Sequence, residues 1–373
     1  MKNEQAVLEV CNYHGPYPGT FIPTLIAVGQ SCEERLGLRY HCVFPASMRE
    51  RPWVNLLRDA AIEYSFLGDH LSASAKTRSL VGTARQVRPR IVRSHFSRWD
   101  LQASIAARFS GAATVWHMHS GRGADPPVVA SWAKDLVKVR TLGRVLCDEV
   151  FAVSDEIKKL AEQRGMPASR VHVVRNGIDV ARFADLPSRA SARAELGLDG
   201  EAPVALGFAW SPLTKGADIL VEAARPLAEA GRLSVVLVGN ARTLADAGVS
   251  APWLRVADPV EDVRGLFAAA DVFVSASRDE GFPYAIGEAM AAGLPVISSD
   301  IAGPSMYFAS DGVTTFASGD AHALRAELQT LLGDPSRHRP CEANREFVEK
   351  HLGLEAHVAR VVDRFEHLLS SRA

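Results

Sequence analysis

Two glutamates with seven residues between them, Glu280 and Glu288, flank a predicted helix start in the segment 271–300. The apolar run 272–274 predicts a buried strand, and Pro283 is a residue type common in the first turn of a helix. Gly293 would end that helix, and 294–298 would form the next strand. Glu288 would then lie about 7.5 Å along the helix axis from Pro283, at roughly 1.5 Å per residue.

A helix start with free N–H groups can hold an anion, so this segment could bind a diphosphate between the two carboxylates. Each carboxylate would take hydroxyl groups at one end of the ligand, which is the layout of a nucleotide sugar. The residues around the helix start are Gly281, Phe282, Pro283, Tyr284 and Ala285. An ordinary strand–helix–strand unit with two solvated glutamates has the same spacing, so spacing alone leaves both interpretations open.

The order Glu280-Gly281-Phe282-Pro283, then Glu288, then AMAAGLPVISSD resembles the E-x7-E signature of glycosyltransferase family 4. That family consists of retaining enzymes with the GT-B fold. The resemblance implies a hexosyltransferase that moves a sugar from a nucleotide diphosphate sugar to a hydroxyl acceptor. It also implies that Glu280 binds sugar hydroxyls and supports oxocarbenium charge, and that Glu288 holds the ribose hydroxyls.

Three further positions extend the resemblance and imply catalytic or acceptor-side roles. Lys215, followed by a glycine, resembles the family's K-G pair, in which the lysine ammonium meets the donor phosphates. His119 follows a predicted strand, as does a family histidine close to the donor sugar. His95 resembles a second family position, which faces the acceptor.

The remaining implied contacts carry a weaker signature. Gly19 and Thr20 stand where the family usually has a glycine pair, so Gly19 is assigned to the donor phosphate and Thr20 to the acceptor side. Gly239 and the backbone around Val256 would lie beside the donor base. The run VRNGID, 174–179, resembles the element that ends the first domain of the family.

Two positions depart from the family pattern. Trp210 stands five residues before the lysine, where the family commonly has an arginine, and Met306 stands where a glutamate is common. Arg278 and the loop N–H groups are candidates to complete the phosphate clamp, and Trp210 could wall the site. The departures make weakened catalysis conceivable.

The chain has 373 residues, which is too many for one hydrophobic core, and its strand and helix patterns alternate. An α/β fold of GT-B architecture is therefore expected, with two Rossmann-like domains whose parallel sheets face across a cleft. The expected boundaries are 1–185 for the acceptor domain and 186–355 for the donor domain. The helix 356–373 would cross back to the first domain, and the polar segment 185–203 would link the two.

Composition indicates a protein of the cytoplasm. No run of 18 apolar residues exists, and the acidic N-terminal segment does not look like a signal peptide. The five cysteines are scattered and never form C-x-x-C, which fits a reduced compartment without a disulfide framework or zinc site. His117 and His119 are not favoured as a metal pair, because no carboxylate stands at ligand spacing.

Charge is distributed unevenly. Residues 1–179 hold 24 Lys and Arg against 17 Asp and Glu, whereas residues 180–373 hold 18 against 26. The basic stretch 76–98 could make weak peripheral contact with an anionic membrane or meet an anionic acceptor, although a solvated helix face is favoured. Its basic residues are Lys76, Arg78, Arg85, Arg88, Arg90, Arg93 and Arg98.

The expected reaction needs no metal or other cofactor. No D-x-D triplet occurs in the sequence, so Lys215 and helix amides should meet the charge on the departing nucleotide. A UDP-sugar is the favoured donor over a GDP- or dTDP-sugar, and no nucleic-acid partner is expected. The acceptor stays open among a lipid-linked sugar, a glycan end and a small secondary metabolite, with a slight preference for a soluble one.

Three other functions fit parts of the pattern. A GT-B sugar-nucleotide epimerase or phosphorylase would share the architecture, and a non-catalytic sugar-nucleotide-binding relative would explain Trp210 and Met306. A nicotinamide-dependent oxidoreductase is disfavoured, because no G-x-G-x-x-G follows the first predicted strand.

Overall fold

A computed structural model describes residues 5–96, 98–119, 141, 143–198, 200–334 and 340–372. It divides the chain into two compact units. The first comprises Met1–Gly177 and Leu354–Ala373, and the second comprises Ile178–Gly353. Short 3-10 turns cover Ala46–Met48, Ala168–Arg170, Ala181–Phe183 and Ser305–Tyr307.

The first unit is built on seven strands: β1 Ala6–Cys11, β2 Arg39–Pro45, β3 Glu63–Leu67, β4 Pro89–His95, β5 Ala113–Met118, β6 Glu149–Ala152 and β7 Val171–Val173. They form one parallel sheet with the order β3-β2-β1-β4-β5-β6-β7. Its helices are α1 Phe21–Leu36, α2 Val54–Asp59, α3 Ala73–Val87, α4 Asp100–Ser110, α5 Arg144–Leu146 and α6 Asp155–Gln163. Every residue of β1 is buried, as expected where helices cover both faces of a parallel sheet.

The second unit has six strands: β8 Val204–Phe208, β9 Ser234–Val238, β10 Leu254–Ala257, β11 Val272–Ser275, β12 Val296–Ser299 and β13 Val313–Phe316. The parallel sheet runs β10-β9-β8-β11-β12-β13. Its helices are α7 Arg189–Glu195, α8 Ala217–Glu229, α9 Ala241–Asp246, α10 Arg264–Ala269, α11 Tyr284–Ala291, α12 Ala321–Gly333 and α13 Glu342–Leu352. Two Rossmann-like parallel sheets with alternating helices confirm the predicted α/β class.

The last helix, α14 Leu354–Ser370, belongs to the first unit. It places Val361, Val362 and Phe365 in the core of that unit. Asp363 on its outer face accepts a hydrogen bond of 2.6 Å from Arg35 of α1. The chain therefore returns to the first unit at Leu354, close to the predicted start at 356.

The predicted linker 185–203 is in part a helix. Ser188 caps α7 by accepting a hydrogen bond from the backbone N–H of Ser191 at 3.2 Å. Ala192 of α7 is buried against Ala268 and Ala269 of α10, so the segment packs as part of the second unit. The units divide after Gly177, eight residues before the expected boundary.

The predicted basic stretch contains one interior residue. Arg93 lies in β4 and is 1% exposed, so it contributes nothing to a basic surface. Lys76 donates a hydrogen bond to the Asp69 backbone carbonyl at 2.9 Å. Among the residues that the structure describes, no helix has both the length and the apolar character needed to cross a membrane.

Candidate active site

The second unit has a pocket of about 160 Å³ where β8 and β11 end and α11 begins. It is lined by Phe208, Trp210, Lys215, Phe273, Val274, Ser275, Ser277, Glu280, Phe282, Pro283, Tyr284 and Ala285. The carboxyl ends of parallel strands and the start of a helix are where α/β folds bind anionic ligands. Five of the predicted donor-site residues thus share one pocket with the predicted lysine.

An ion pair lies at the centre of this pocket. The Lys215 ammonium is 2.5 Å from Oε1 of Glu280, and the two side chains are only 13% and 12% exposed. Ser277 donates its hydroxyl to the same carboxylate oxygen at 2.8 Å. The ammonium also lies 4.5 Å from the centre of the Trp210 ring, so it is held between a carboxylate and an indole face.

Two glycines allow the loops of the pocket to approach closely. Gly216 has φ +65°, and a Cβ there would lie 1.9 Å from the carbonyl oxygen of Ala276. A Cβ on Gly303 would lie 2.1 Å from the carbonyl oxygen of Glu280. Only glycine fits at these positions, so the K-G pair has a structural requirement for its glycine as well as a chemical one for its lysine.

The first unit contains a separate polar cluster at the carboxyl ends of β1, β4 and β5. Glu9 and Arg93 are paired in the β1–β4 register, and both are fully buried. Arg93 Nε donates to Glu9 Oε2 at 2.9 Å, and the Tyr40 hydroxyl donates to Oε1 at 2.7 Å. Burial alone would raise the pKa of Glu9, but the Arg93 charge and a hydrogen bond from His95 lower it to about 2.

The two histidines that the resemblance singled out contact one another in this cluster. Nε2 of His95 lies 2.9 Å from Glu9 Oε2, and its Nδ1 lies 2.9 Å from Nε2 of His119. Burial lowers the pKa of both imidazoles, and that of His119 falls well below its ordinary value. Phe96 stacks on His119 with ring centres 4.4 Å apart, and it does so from a left-handed backbone conformation with φ +63°.

Family models match both units. Residues 33–182 match the model described as Glycosyltransferase Family 4, and residues 204–334 match the one described as Glycosyl transferases group 1. The chain belongs to glycosyltransferase family 4.

Sequence relatives of this family 4 chain include two named enzymes. It is 29% identical over 255 residues to D-inositol 3-phosphate glycosyltransferase of Xylanimonas cellulosilytica, covering 62% of this chain and 61% of that protein. It is 31% identical over 216 residues to alpha-maltose-1-phosphate synthase of Mycolicibacterium smegmatis, covering 52% of this chain and 56% of that protein. The chain thus matches about three-fifths of the length of these relatives.

Solved structures share the fold of this family 4 chain over nearly its whole length. HepE of Anabaena in complex with UDP-glucose aligns with a TM-score of 0.79 at 18% identity, covering 97% of this chain and 99% of that one. A glycosyltransferase from Rickettsia africae aligns with a TM-score of 0.78 at 17% identity, covering 98% and 99%. At such identities the likeness establishes the GT-B fold.

Several residues assigned by the family resemblance lie outside the pocket lining. Glu288 is buried in α11, one turn after the pocket residue Tyr284. Gly239 follows β9, where its N–H donates to Ala257 at 2.9 Å, and Val256 lies in β10. The structure brings Glu280, Lys215 and residues 282–285 together in the pocket lining, whereas Gly281, Glu288, Gly239 and Val256 lie outside it in the same unit.

The remaining assigned residues stand at the start of α1. Gly19 has φ +51°, and Thr20 is the N-cap residue of α1. The Thr20 carbonyl accepts a hydrogen bond from the Thr24 hydroxyl at 2.7 Å. Both belong to the first unit.

The departures from the family 4 pattern have distinct environments. Trp210 is 58% exposed and forms one wall of the pocket, as the sequence suggested. Arg278 was a candidate for the phosphate clamp, but its guanidinium binds both oxygens of Asp218 at 2.8 and 2.7 Å. Met306 is partly buried in a 3-10 turn beside Tyr307, whose hydroxyl donates to the Pro283 carbonyl at 3.3 Å.

Three imidazoles of the first unit lie close enough to be considered as metal ligands, namely His95, His117 and His119. The rings of His117 and His119 stack with centres 4.4 Å apart and planes 26° apart. Ring nitrogens ligate a metal in the plane of the ring, and stacked planes do not direct their lone pairs at one ion. Their present orientations therefore do not fit a tridentate site.

Sequence reasoning missed the partners of the two histidines. Glu9 is an acid within an apolar strand, AVLEVC, and Arg93 is a base within another, RIVRSH. A charged residue at a buried strand position needs a partner, and two such residues of opposite sign are candidates to pair. That signal was present in the sequence, although it does not specify which strands are neighbours.

Proposed function

We propose that this protein is a retaining glycosyltransferase that moves a sugar from a nucleotide diphosphate sugar to a hydroxyl acceptor. The observation that carries the proposal is the Lys215–Glu280 pair, at 2.5 Å, in a pocket against the start of α11. It combines a cation for a leaving diphosphate, a carboxylate for sugar hydroxyls and a helix dipole.

Each charged group of the pair has its own task during transfer. Without a donor, the ammonium and the carboxylate neutralise each other. A bound diphosphate would take the ammonium, and a sugar hydroxyl would replace it as the donor to Glu280. Negative charge grows on the departing nucleotide, so Lys215 stabilises the transition state more than the ground state. Glu280 supports the oxocarbenium charge without forming a covalent adduct.

A UDP-sugar is the proposed donor. HepE, which shares the fold, was solved with UDP-glucose, and this supports the choice of donor. The acceptor is a hydroxyl group of a glycan, a glycolipid or a small metabolite. The reaction is proposed to need no metal, since Lys215 and the helix start already offer positive charge to the diphosphate.

A donor panel tests this function. UDP-, GDP- and dTDP-sugars are each incubated with the protein, and nucleotide release and thermal stability are measured. A bound UDP-sugar should stabilise the fold by about 2.7 kcal/mol at a hundredfold excess over its Kd. Activity should persist in EDTA. Loss of activity with chelator and recovery with Mg²⁺ would contradict the metal-free reaction. If no sugar of the panel binds or is turned over, the proposed function itself is contradicted.

Product analysis separates the two alternatives that share the architecture. An epimerase would convert the donor sugar without any acceptor, and a non-catalytic relative would bind the donor without releasing nucleotide. The non-catalytic alternative is tested because the exposed Trp210 stands where the family commonly has an arginine.

A further inference from the structure

The first unit contains a chain of hydrogen bonds that leads from a buried charge to a partly exposed imidazole. It runs from Glu9 Oε2 to Nε2 of His95, and from Nδ1 of His95 to Nε2 of His119, with both contacts at 2.9 Å. Glu9 and His95 are 0% and 2% exposed, whereas His119 is half-buried. Among the described residues, Nδ1 of His119 has no hydrogen-bond partner.

The donors in this chain can be deduced in order. An ionised carboxylate only accepts, so His95 must carry its proton on Nε2. A neutral His95 then has a bare Nδ1, and the 2.9 Å contact to His119 needs a donor from the other side. His119 must therefore carry its proton on Nε2, which leaves its Nδ1 as an acceptor.

We propose that Glu9 and His95 are positioning residues that fix His119 in the Nε2–H tautomer, so that its Nδ1 accepts a hydrogen bond from a hydroxyl of the sugar substrate. Arg93 and Tyr40 hold the Glu9 carboxylate in place at 2.9 and 2.7 Å. Phe96 holds the ring plane of His119 by stacking on it. The role in substrate binding rests on the proposed transferase function, whereas the tautomer does not.

The first experiment reads the tautomer directly. The protein is labelled with ¹⁵N-histidine, and long-range ¹H–¹⁵N correlation spectra are recorded near pH 7 without donor. His95 and His119 should both show a protonated Nε2 and a bare Nδ1. A protonated Nδ1 on either ring would overturn the proposal, whatever the activity of the enzyme.

Glu9→Gln should reverse the donor and acceptor roles along the hydrogen bonds that join residue 9, His95 and His119. The Tyr40 hydroxyl donates to Oε1 at 2.7 Å, so the amide oxygen of Glu9→Gln should take that position. Arg93 Nε, which contacts both oxygens of Glu9, would then donate to Oε1 alone, and the amide NH₂ would face Nε2 of His95. His95 would then move its proton to Nδ1, and His119 would become the Nδ1–H tautomer. An unchanged His119 tautomer in a folded Glu9→Gln protein would contradict the relay.

Because Glu9→Gln leaves Arg93 without its counter-charge and the variant could fail to fold, His95→Phe supplies a second route. Phenylalanine fits beside the aromatic ring of Phe21, 5.2 Å from the His95 ring, but carries no ring nitrogen. His119 should then populate both tautomers, and turnover should fall. His117→Phe is the matched control, since His117 stacks on His119 and its ring nitrogens have no partner in the described part of the chain.

Turnover measured in two backgrounds separates the role of the relay from the transferase function. If the relay positions His119, His95→Phe should lower turnover in the parent enzyme but add nothing in a His119→Ala background. Equal losses in both backgrounds would assign His95 a structural role and overturn the proposal. If the tautomers are as expected but His119→Ala leaves turnover unchanged, the substrate role of His119 fails while the relay stands.

Discussion

Two ion pairs, Arg93–Glu9 in the first unit and Lys215–Glu280 in the second, differ in access to solvent. Arg93 and Glu9 in the first unit are fully buried and share further hydrogen bonds with Tyr40 and His95. Lys215 and Glu280 in the second unit line a pocket and keep about an eighth of their surface exposed. A ligand that enters the pocket can therefore replace one partner of the Lys215–Glu280 pair, whereas the Arg93–Glu9 pair is closed to ligands.

The same pairing of charges therefore serves two purposes in the two units. A buried pair with several hydrogen bonds holds neighbouring side chains in one arrangement, and removing one partner leaves the other charge buried and uncompensated. A pair that lines a pocket is less costly to break, because water in the pocket can replace the missing partner. We expect substitutions in the first pair to destabilise the first unit and substitutions in the second to stop the reaction.

Breaking the buried pair should have the largest effect. Arg93→Met keeps the length of the side chain and removes its charge, which leaves Glu9 buried and unpaired. We expect the free energy of unfolding of the first unit to fall by about 3–5 kcal/mol, measured by urea denaturation. Replacing both residues by apolar ones should restore part of the loss, and a single variant as stable as the parent would contradict the comparison.

Removing the lysine of the pocket pair should abolish most of the activity at little cost in stability. Lys215→Ala should lower kcat by about 10²–10³, as expected for loss of one charge that stabilises a leaving group. Its stability should fall by less than that of Arg93→Met, because water in the pocket can solvate the Glu280 carboxylate that is left behind. Lys350→Ala, at an exposed position on α13 of the same unit, is the matched control. Near-normal transfer by Lys215→Ala would overturn the site assignment.

Acid should destabilise the first unit through its buried imidazoles. Burial lowers the pKa of His357 to about 3, although its ring donates Nδ1–H to the Arg175 carbonyl at 2.7 Å. Between pH 6.5 and 3 the unfolded chain binds a proton at this site that the folded chain does not, so stability falls as pH falls. The contribution is about 1.4 kcal/mol per pH unit.

His357→Gln isolates that contribution, because the glutamine amide can still donate a hydrogen bond but does not titrate. Urea denaturation at pH 7, 5.5 and 4.5 should give a shallower loss of stability for the variant than for the parent. Identical slopes would contradict the lowered pKa, because they would show that the folded and unfolded chains bind the His357 proton equally.

The organisation of the second unit could be predicted closely from the sequence, because its signals are local. The strand, the proline at the helix start and the glycine after the helix define the segment around Glu280 within a few residues. Gly293 has φ +73°, as a residue that ends a helix requires. The prediction that Lys215 and Glu280 serve one site rested on family resemblance, since the two are 65 residues apart.

The first unit shows what local patterns cannot supply. Arg93 looked like one member of a basic stretch, because its neighbours in sequence are also basic. Its partner Glu9 lies 84 residues away, and only the order of strands in the sheet brings the two together. The helix at 189–195 was missed for a related reason, since a short polar helix is stabilised by packing and not by its own sequence.

The smallest expected effect concerns the indole face above the lysine. Trp210 is more than half exposed, and its ring centre lies 4.5 Å from the Lys215 ammonium. An exposed cation–π contact contributes about 0.5–1 kcal/mol, so Trp210→Ala should lower kcat/KM by about 2- to 5-fold. Trp210→Phe keeps a ring and should retain most of the activity.

Trp210→Arg tests whether the pocket receives the phosphates of the donor. Trp210→Arg replaces the indole with a second cation beside the pocket, where the ammonium of Lys215 is already neutralised by one carboxylate. If the pocket binds a diphosphate, the added charge should tighten binding of the donor, measured as a lower Kd in titration calorimetry. If the indole instead orients the lysine, Trp210→Arg should bind the donor more tightly and yet turn it over more slowly. Weaker binding than the parent would mean that the pocket does not receive the phosphates, because a second cation can only favour them.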